Sequence, residues 1–109
     1  MSKNNYITEE QEIAPNIFRK ITTLDQLMMV ILRFENGPME KADPFHQHTH
    51  EQISYVKKGE LNFFIEDKSY HLKAGDTITI ASNKKHTIQT ISNTVELIDC
   101  FSPVREDFL

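Results

Sequence analysis

The stretch Pro44-Phe45-His46-Gln47-His48-Thr49-His50-Glu51-Gln52 decides how the rest of the chain is read. Three of the protein's five histidines fall at alternate positions in it, and Gln52 continues the spacing. Successive side chains of a β-strand point to opposite faces. An extended reading therefore puts His46, His48, His50 and Gln52 on one face. Imidazoles and an amide make poor core material. They make good ligands, because imidazole suits zinc, copper, iron and nickel.

Outward from this stretch, the pattern is of short strands and turns. On the C-terminal side it runs into Ile53 to Val56, and Lys57-Lys58-Gly59-Glu60 reads as a hairpin turn. Leu61, Phe63 and Ile65 alternate with polar residues, and Glu66 to Ser69 turns again. Tyr70 to Leu72, Thr77 to Ile80, Ile88 to Ile91 and Val95 to Phe101 read as further strands, with turns at Gly75-Asp76, Ser82 to Lys85 and Ser92 to Thr94. On the N-terminal side, Leu27 to Phe34 is apolar on both alternation phases. Its β-branched and aromatic content and the bounding Asn36-Gly37-Pro38 favour a strand over a helix. Short strands at regular spacing with no long helical period predict an all-β sandwich or barrel. Residues 1–12 read as an N-terminal arm and residues 102–109 as a C-terminal tail of a single domain spanning 1–109.

A strand apolar on both phases is covered on both faces. In so small a chain the second cover is expected to be another subunit, which predicts a homodimer; cover by the chain's own segments is the alternative. A chain of 109 residues suits one compact domain. Its longest apolar run, Leu27 to Leu32, is far short of the ~20 residues of a membrane span. With no apolar signal core near Met1, a cytoplasmic protein is expected. The single cysteine, Cys100, excludes an internal disulfide framework and multi-cysteine zinc sites. The net charge of −4 and the absence of any large Lys/Arg cluster argue against nucleic-acid binding.

A mononuclear metal site wants three or four ligands and an open position. The histidine stretch offers His46, His48 and Gln52. A further ligand must come from elsewhere, with His86, at the point where a loop re-enters a strand, ahead of His71 in mid-hairpin. These residues also carry a resemblance. His46-Gln47-His48, three residues, Gln52, six residues, Gly59 resembles the first motif of the cupin family. Gly75-Asp76, then Ala81-Ser82-Asn83, then His86 resembles the second. Gln52 stands where Glu is usual, Ala81 and Asn83 replace Pro and Gly, and Thr90 stands where Asn is common.

The resemblance covers about residues 30 to 101. It implies a cupin double-stranded β-helix, or jelly-roll barrel, with one divalent metal ion inside. Register on Gly59 assigns His46, His48, Gln52 and His86 as the metal set. His50 becomes a neighbour of the site or a pocket residue, and His71 a surface residue. Nitrogen-rich ligation leans towards nickel or zinc, with iron or manganese compatible.

The run Asp99 to Leu109, with His-x-His-x-His-Glu-Gln upstream, is similar to the KdgF group of cupins. That group acts in pectin and alginate breakdown, opening 4,5-unsaturated monouronates to 4-deoxy-5-keto-uronates, and uses Gln at the metal. The likeness implies a small-molecule sugar acid as partner and Asp99 and Arg105 as catalytic residues. Asp99 shares a strand face with Leu97 and Phe101 and is the expected general base. Arg105 can fork the substrate carboxylate, against a rival ion pair with Glu106 or Asp107. Tyr55, Phe64 and Phe101 are candidate pocket residues. The alternatives are another metallo-cupin enzyme, such as a dioxygenase or sugar isomerase, and a non-catalytic metal- or small-molecule-binding cupin, because one fold hosts many chemistries.

Overall fold

A computed structural model describes residues 7–109. The alternating segments become nine strands among the described residues: β1 Gln11–Ala14, β2 Ile17–Thr23, β3 Met28–Phe34, β4 Glu51–Lys58, β5 Glu60–Ile65, β6 Lys68–Lys73, β7 Thr77–Ile80, β8 His86–Thr90 and β9 Val95–Ser102. All strand pairs are antiparallel. A six-stranded sheet has the order β1-β2-β3-β9-β4-β7 and faces a three-stranded sheet, β6-β5-β8. The chain thus forms the expected all-β jelly roll.

Period-two alternation decides what fills the space between the sheets. On β4, Gln52, Ser54 and Val56 are buried while Glu51, Ile53 and Tyr55 are exposed. On β9, Val95, Leu97, Asp99 and Phe101 form the buried row. Val56, Leu61, Phe63, Ile80, Val95 and Leu97 make the main apolar cluster. A second cluster gathers Ile21, Met28, Val30, Phe101 and Val104. Gly59 sits at φ +84°, where an added Cβ would collide with the Thr94 carbonyl, so the β4–β5 turn requires glycine.

One expectation needs correction. Residues 44–50 are not a strand, because β4 begins only at Glu51. His46 instead makes an isolated antiparallel bridge to His86, with N–H···O distances of 3.0 and 2.8 Å. The Asn83 amide donates to the His48 carbonyl at 2.8 Å, and the Ser82 hydroxyl donates to the Thr49 carbonyl. The backbone polar groups here pair with Asn83 in the loop before β8 and with His86, the first residue of β8, rather than forming a regular strand ladder.

The N-terminal arm is docked where it is described; residues 1–6 lie outside the described residues. Ile7 bridges Thr22, and Gln11 and Glu12 belong to β1. The C-terminal tail is docked as well. Val104 is only 5% exposed, and a 3-10 turn at Glu106–Phe108 brings the Phe108 ring to 6.0 Å from Phe101. Among the described residues no helix is long and apolar enough to cross a membrane.

Candidate metal centre and pocket

The bridge between residues 46 and 86 sets two imidazoles side by side, and the 82–86 loop folds His48 in beside them. Ligand nitrogens of His46, His48 and His86 all lie within 4.8 Å of one another. The ring centroids of His46 and His48 are 4.1 and 4.9 Å from that of His86.

Backbone carbonyls fix how two of these rings present themselves. His48 Nδ1 lies 2.9 Å from the His50 carbonyl, and His86 Nδ1 lies 2.9 Å from the Lys84 carbonyl. A carbonyl only accepts, so each Nδ1 carries the proton and each Nε2 presents a lone pair. His86 is 2% exposed, and its Nε2 is buried with no hydrogen-bond partner.

The Gln52 amide is oriented in the same way. Its Nε2 donates to Ser54 Oγ at 2.9 Å, and Ser54 Oγ donates to Asp99 Oδ1 at 2.6 Å. The Gln52 oxygen is thereby turned towards His48 Nε2, 3.1 Å away. Two acceptors then face each other with no proton between them, an arrangement that a cation relieves. The orphaned Nε2 of His86 and this acceptor pair fit a bound divalent ion. The outer nitrogens held by carbonyls match the usual support of metal-ligating histidines.

Charge works in the same direction. Burial first, then the neighbouring imidazoles and Arg105, lower the His46 pKa to about 4. Burial is also the main cause that lowers His48 and His86. All three are therefore neutral near pH 7, the form that coordinates metal. Asp99 is 5% exposed, and burial raises its pKa to about 6, partly offset by the Ser54 hydrogen bond and the Arg105 charge. A carboxyl held near neutrality can both take and return a proton.

A cavity of about 280 Å³ opens beside these groups. His46, Gln52, His86, Asp99, Phe101 and Arg105 all line it. His48 is not in its wall but packs on Phe101, ring centroids 5.7 Å apart. Arg105 Nε and Nη2 donate to Asp107 at 3.3 and 2.7 Å, so the rival ion pair is formed. It occupies one edge of the guanidinium, and among the described residues no hydrogen bond or ion pair engages Nη1.

The structure does not bring every expected pocket residue to the cavity. Tyr55 is on the outer face of the six-stranded sheet, opposite Thr77 and Ile98, because β4 alternates and Gln52, Ser54 and Val56 take the inner phase. Phe64 also takes the outer phase of its strand, while Phe63 lines the cavity. His50 stands against His48, ring centroids 5.5 Å apart, and is not part of the cavity wall. His71 is on the surface, paired with Glu60 at 2.8 Å. Two groups that motif reasoning passes over are Ser54, at the centre of the hydrogen-bond chain, and Arg19, in the cavity wall. Arg19 has a signal in the sequence: it shares the core-facing phase of β2 with Ile17 and Ile21.

Residues 32–100 match the Cupin domain family. Over 103 residues the chain is 38% identical to the pectin degradation protein KdgF of Dickeya dadantii (strain 3937), covering 94% of this chain and 92% of that protein. The solved structure of KdgF from Halomonas sp. superposes with a TM-score of 0.83 at 32% identity, covering 94% of this chain and 92% of that one. An RmlC-like cupin from Shewanella frigidimarina NCIMB 400 gives 0.82 at 32% identity, covering 94% and 89%.

Proposed function

The chain belongs to the cupin family, and from that premise we propose that it is a metal-dependent enzyme of pectin or alginate breakdown which opens 4,5-unsaturated monouronates to 4-deoxy-5-keto-uronates. Its likeness to KdgF proteins, one of them named for pectin degradation, supports the pathway. The hydrogen-bonded chain Asp99–Ser54–Gln52, which ends facing His48, is the observation that carries the chemistry. It ties a proton-transferring carboxyl to the histidine cluster inside one cavity. At about 280 Å³ that cavity is at the small end of ligand pockets, roughly 300–1,000 Å³, which suits one sugar ring rather than a polymer.

His46, His48, Gln52 and His86 are the proposed ligands, and nickel or zinc the proposed ion. When bound, a divalent cation with these neutral ligands keeps its full charge and supplies Lewis-acid stabilisation to a developing oxyanion. The Nη1 edge of Arg105 receives the substrate carboxylate. Asp99 removes the proton of the anomeric hydroxyl. The C1–O5 bond breaks, C1 becomes an aldehyde, and the electron pair stays on O5 as the C5 enolate. Asp99 returns the proton to C4, and C5 becomes the ketone. The sum is an isomerisation that needs no co-reactant. Phe101 closes one wall against water.

The homodimer is part of the same proposal. Met29, Cys100 and Ile53 form a cross-strand row on the outer face of the six-stranded sheet. Met29 and Ile53 are 42% and 55% exposed, an apolar face that a second copy would cover.

The test uses purified, metal-loaded protein and a lyase-generated unsaturated monouronate. Absorbance of the C4–C5 double bond should fall, and a chelator should stop the loss. No loss of absorbance overturns the enzyme reading. Light scattering on the same sample should give twice 12.7 kDa, and a monomer overturns the pairing.

A further inference from the structure

Two guanidiniums reach the cavity, and they are not equivalent. Arg105 is held by Asp107, and its charge acts on His46, His48, His86 and Asp99. Arg19 lies in the cross-strand row Arg19–Leu32–Leu97–Val56, two same-face rows along the sheet from Gln52. It projects from β2 into the cavity wall between the apolar positions Ile17 and Ile21. Across the β2–β3 pair it is registered with Leu32, another lining residue.

Among the described residues no carboxylate pairs with Arg19. Its close electrostatic contact among the described residues is the face of Phe108, 4.6 Å from the ring centroid. The same ring takes Arg105 at 4.1 Å. A partly buried cation without a counter-charge is costly, and an aromatic face compensates it only in part. An anionic ligand would complete the compensation. The core-facing phase of a strand is also an expensive place for a positive charge that serves no ligand.

We propose that Arg19 is the acid-selecting residue of the pocket. It receives the carboxylate of an incoming sugar acid in the part of the cavity away from the histidines, ahead of Arg105, and so sets the preference for acidic over neutral sugars. This rests on the reading of the pocket as a uronate site. The contact forms on entry and is kept equally in the bound complex and in the bond-breaking step. Loss of Arg19 therefore acts on KM much more than on kcat.

The experiment compares wild type, Arg19→Ala and Arg19→Lys on the unsaturated monouronate and on its methyl ester, which lacks the charge. For Arg19→Ala on the acid, KM should rise about tenfold or more, the loss of one charge-assisted contact. The kcat should stay within about threefold. Arg19→Lys should recover most of the loss, because it keeps the charge while losing the fork. On the methyl ester, wild type and Arg19→Ala should be alike. A KM within about twofold of wild type overturns the proposal. So does an equal loss on acid and ester, which would mean that Arg19 only holds the Phe108 segment in place. If the wild-type chain leaves the unsaturated sugar untouched, the enzyme reading falls and calorimetry with D-galacturonate decides this proposal alone. Binding that weakens about tenfold in Arg19→Ala supports it; binding that is absent or indifferent to Arg19 overturns it.

Discussion

β4 and β9 lie side by side through the jelly roll, and the two ends of this pair do opposite things. At one end Ser54 stands opposite Asp99, and Gln52 opposite Phe101. At the other, Val56 stands opposite Leu97, with Val95 beyond. The two ends are equally buried: Ser54 and Val56 are both 0% exposed, Asp99 5% and Leu97 1%. At the apolar end, burial itself supplies the stabilisation. At the polar end each group must find a partner, and Gln52, Ser54 and Asp99 find one another. The chain of partners stops at Gln52 Oε1 facing His48 Nε2, where a cation is wanted rather than a proton. One pair of strands therefore separates stability from chemistry along its length, and mutations at the two ends should separate likewise.

Asp99→Asn should have the largest effect. The amide can still accept from Ser54 but cannot serve as a base, so turnover should fall roughly 10²- to 10⁴-fold. Stability should hold or rise, because an uncharged group costs less to bury. In the wild type the ionised form of Asp99 is the active base. The kcat should therefore fall on acidification through about pH 6, or lower with a bound cation, which favours the carboxylate. Steady-state kinetics across pH, with denaturant unfolding, checks both statements; near-normal turnover in the mutant would refute the base.

Leu97→Ala comes next and should do the reverse. The cavity it leaves should cost about 2–5 kcal/mol in urea unfolding. Metal content should be unchanged, and because Leu97 also lines the cavity, turnover per folded molecule should change, but far less than in Asp99→Asn. Loss of metal without loss of stability would break the division between the two ends.

Ser54→Ala is the smallest and the sharpest. It removes the acceptor of Gln52 Nε2 and the donor to Asp99 Oδ1 at a fully buried position, which should cost about 1–3 kcal/mol. It also frees the amide to turn, so metal affinity in a chelator competition should drop about tenfold. Unchanged affinity would show that Ser54 supports the fold and not the amide.

Much of the architecture was legible because period-two alternation is a local property. Leu61, Phe63 and Ile65, or Leu97, Asp99 and Phe101, can share a face only if the chain is extended there. The same alternation, started from an inward Gln52, sends Tyr55 outward. Tyr55 as a pocket residue is therefore an expectation the strand period alone could have corrected. Arg19 was legible in the same way, as a charge on an apolar phase. Residues 44–50 were not. Their alternation suggests a strand, but their amides and carbonyls pair with Asn83 and His86, more than thirty residues away in sequence, and no local pattern records such partners.

By itself, the sequence determined which residues could form strands, where glycine was compulsory at the β4–β5 turn, and which side chains were fit to hold a metal. These follow from steric and chemical properties each residue carries with it. Only the tertiary structure decided that His46, His48 and His86 converge, that Ser54 turns the Gln52 oxygen towards them, and that Arg19 and Arg105 both pack on the Phe108 ring. Those are distances between groups far apart in the chain. They are set by how two sheets and two loops pack, and packing is a property of the whole chain rather than of any stretch in it.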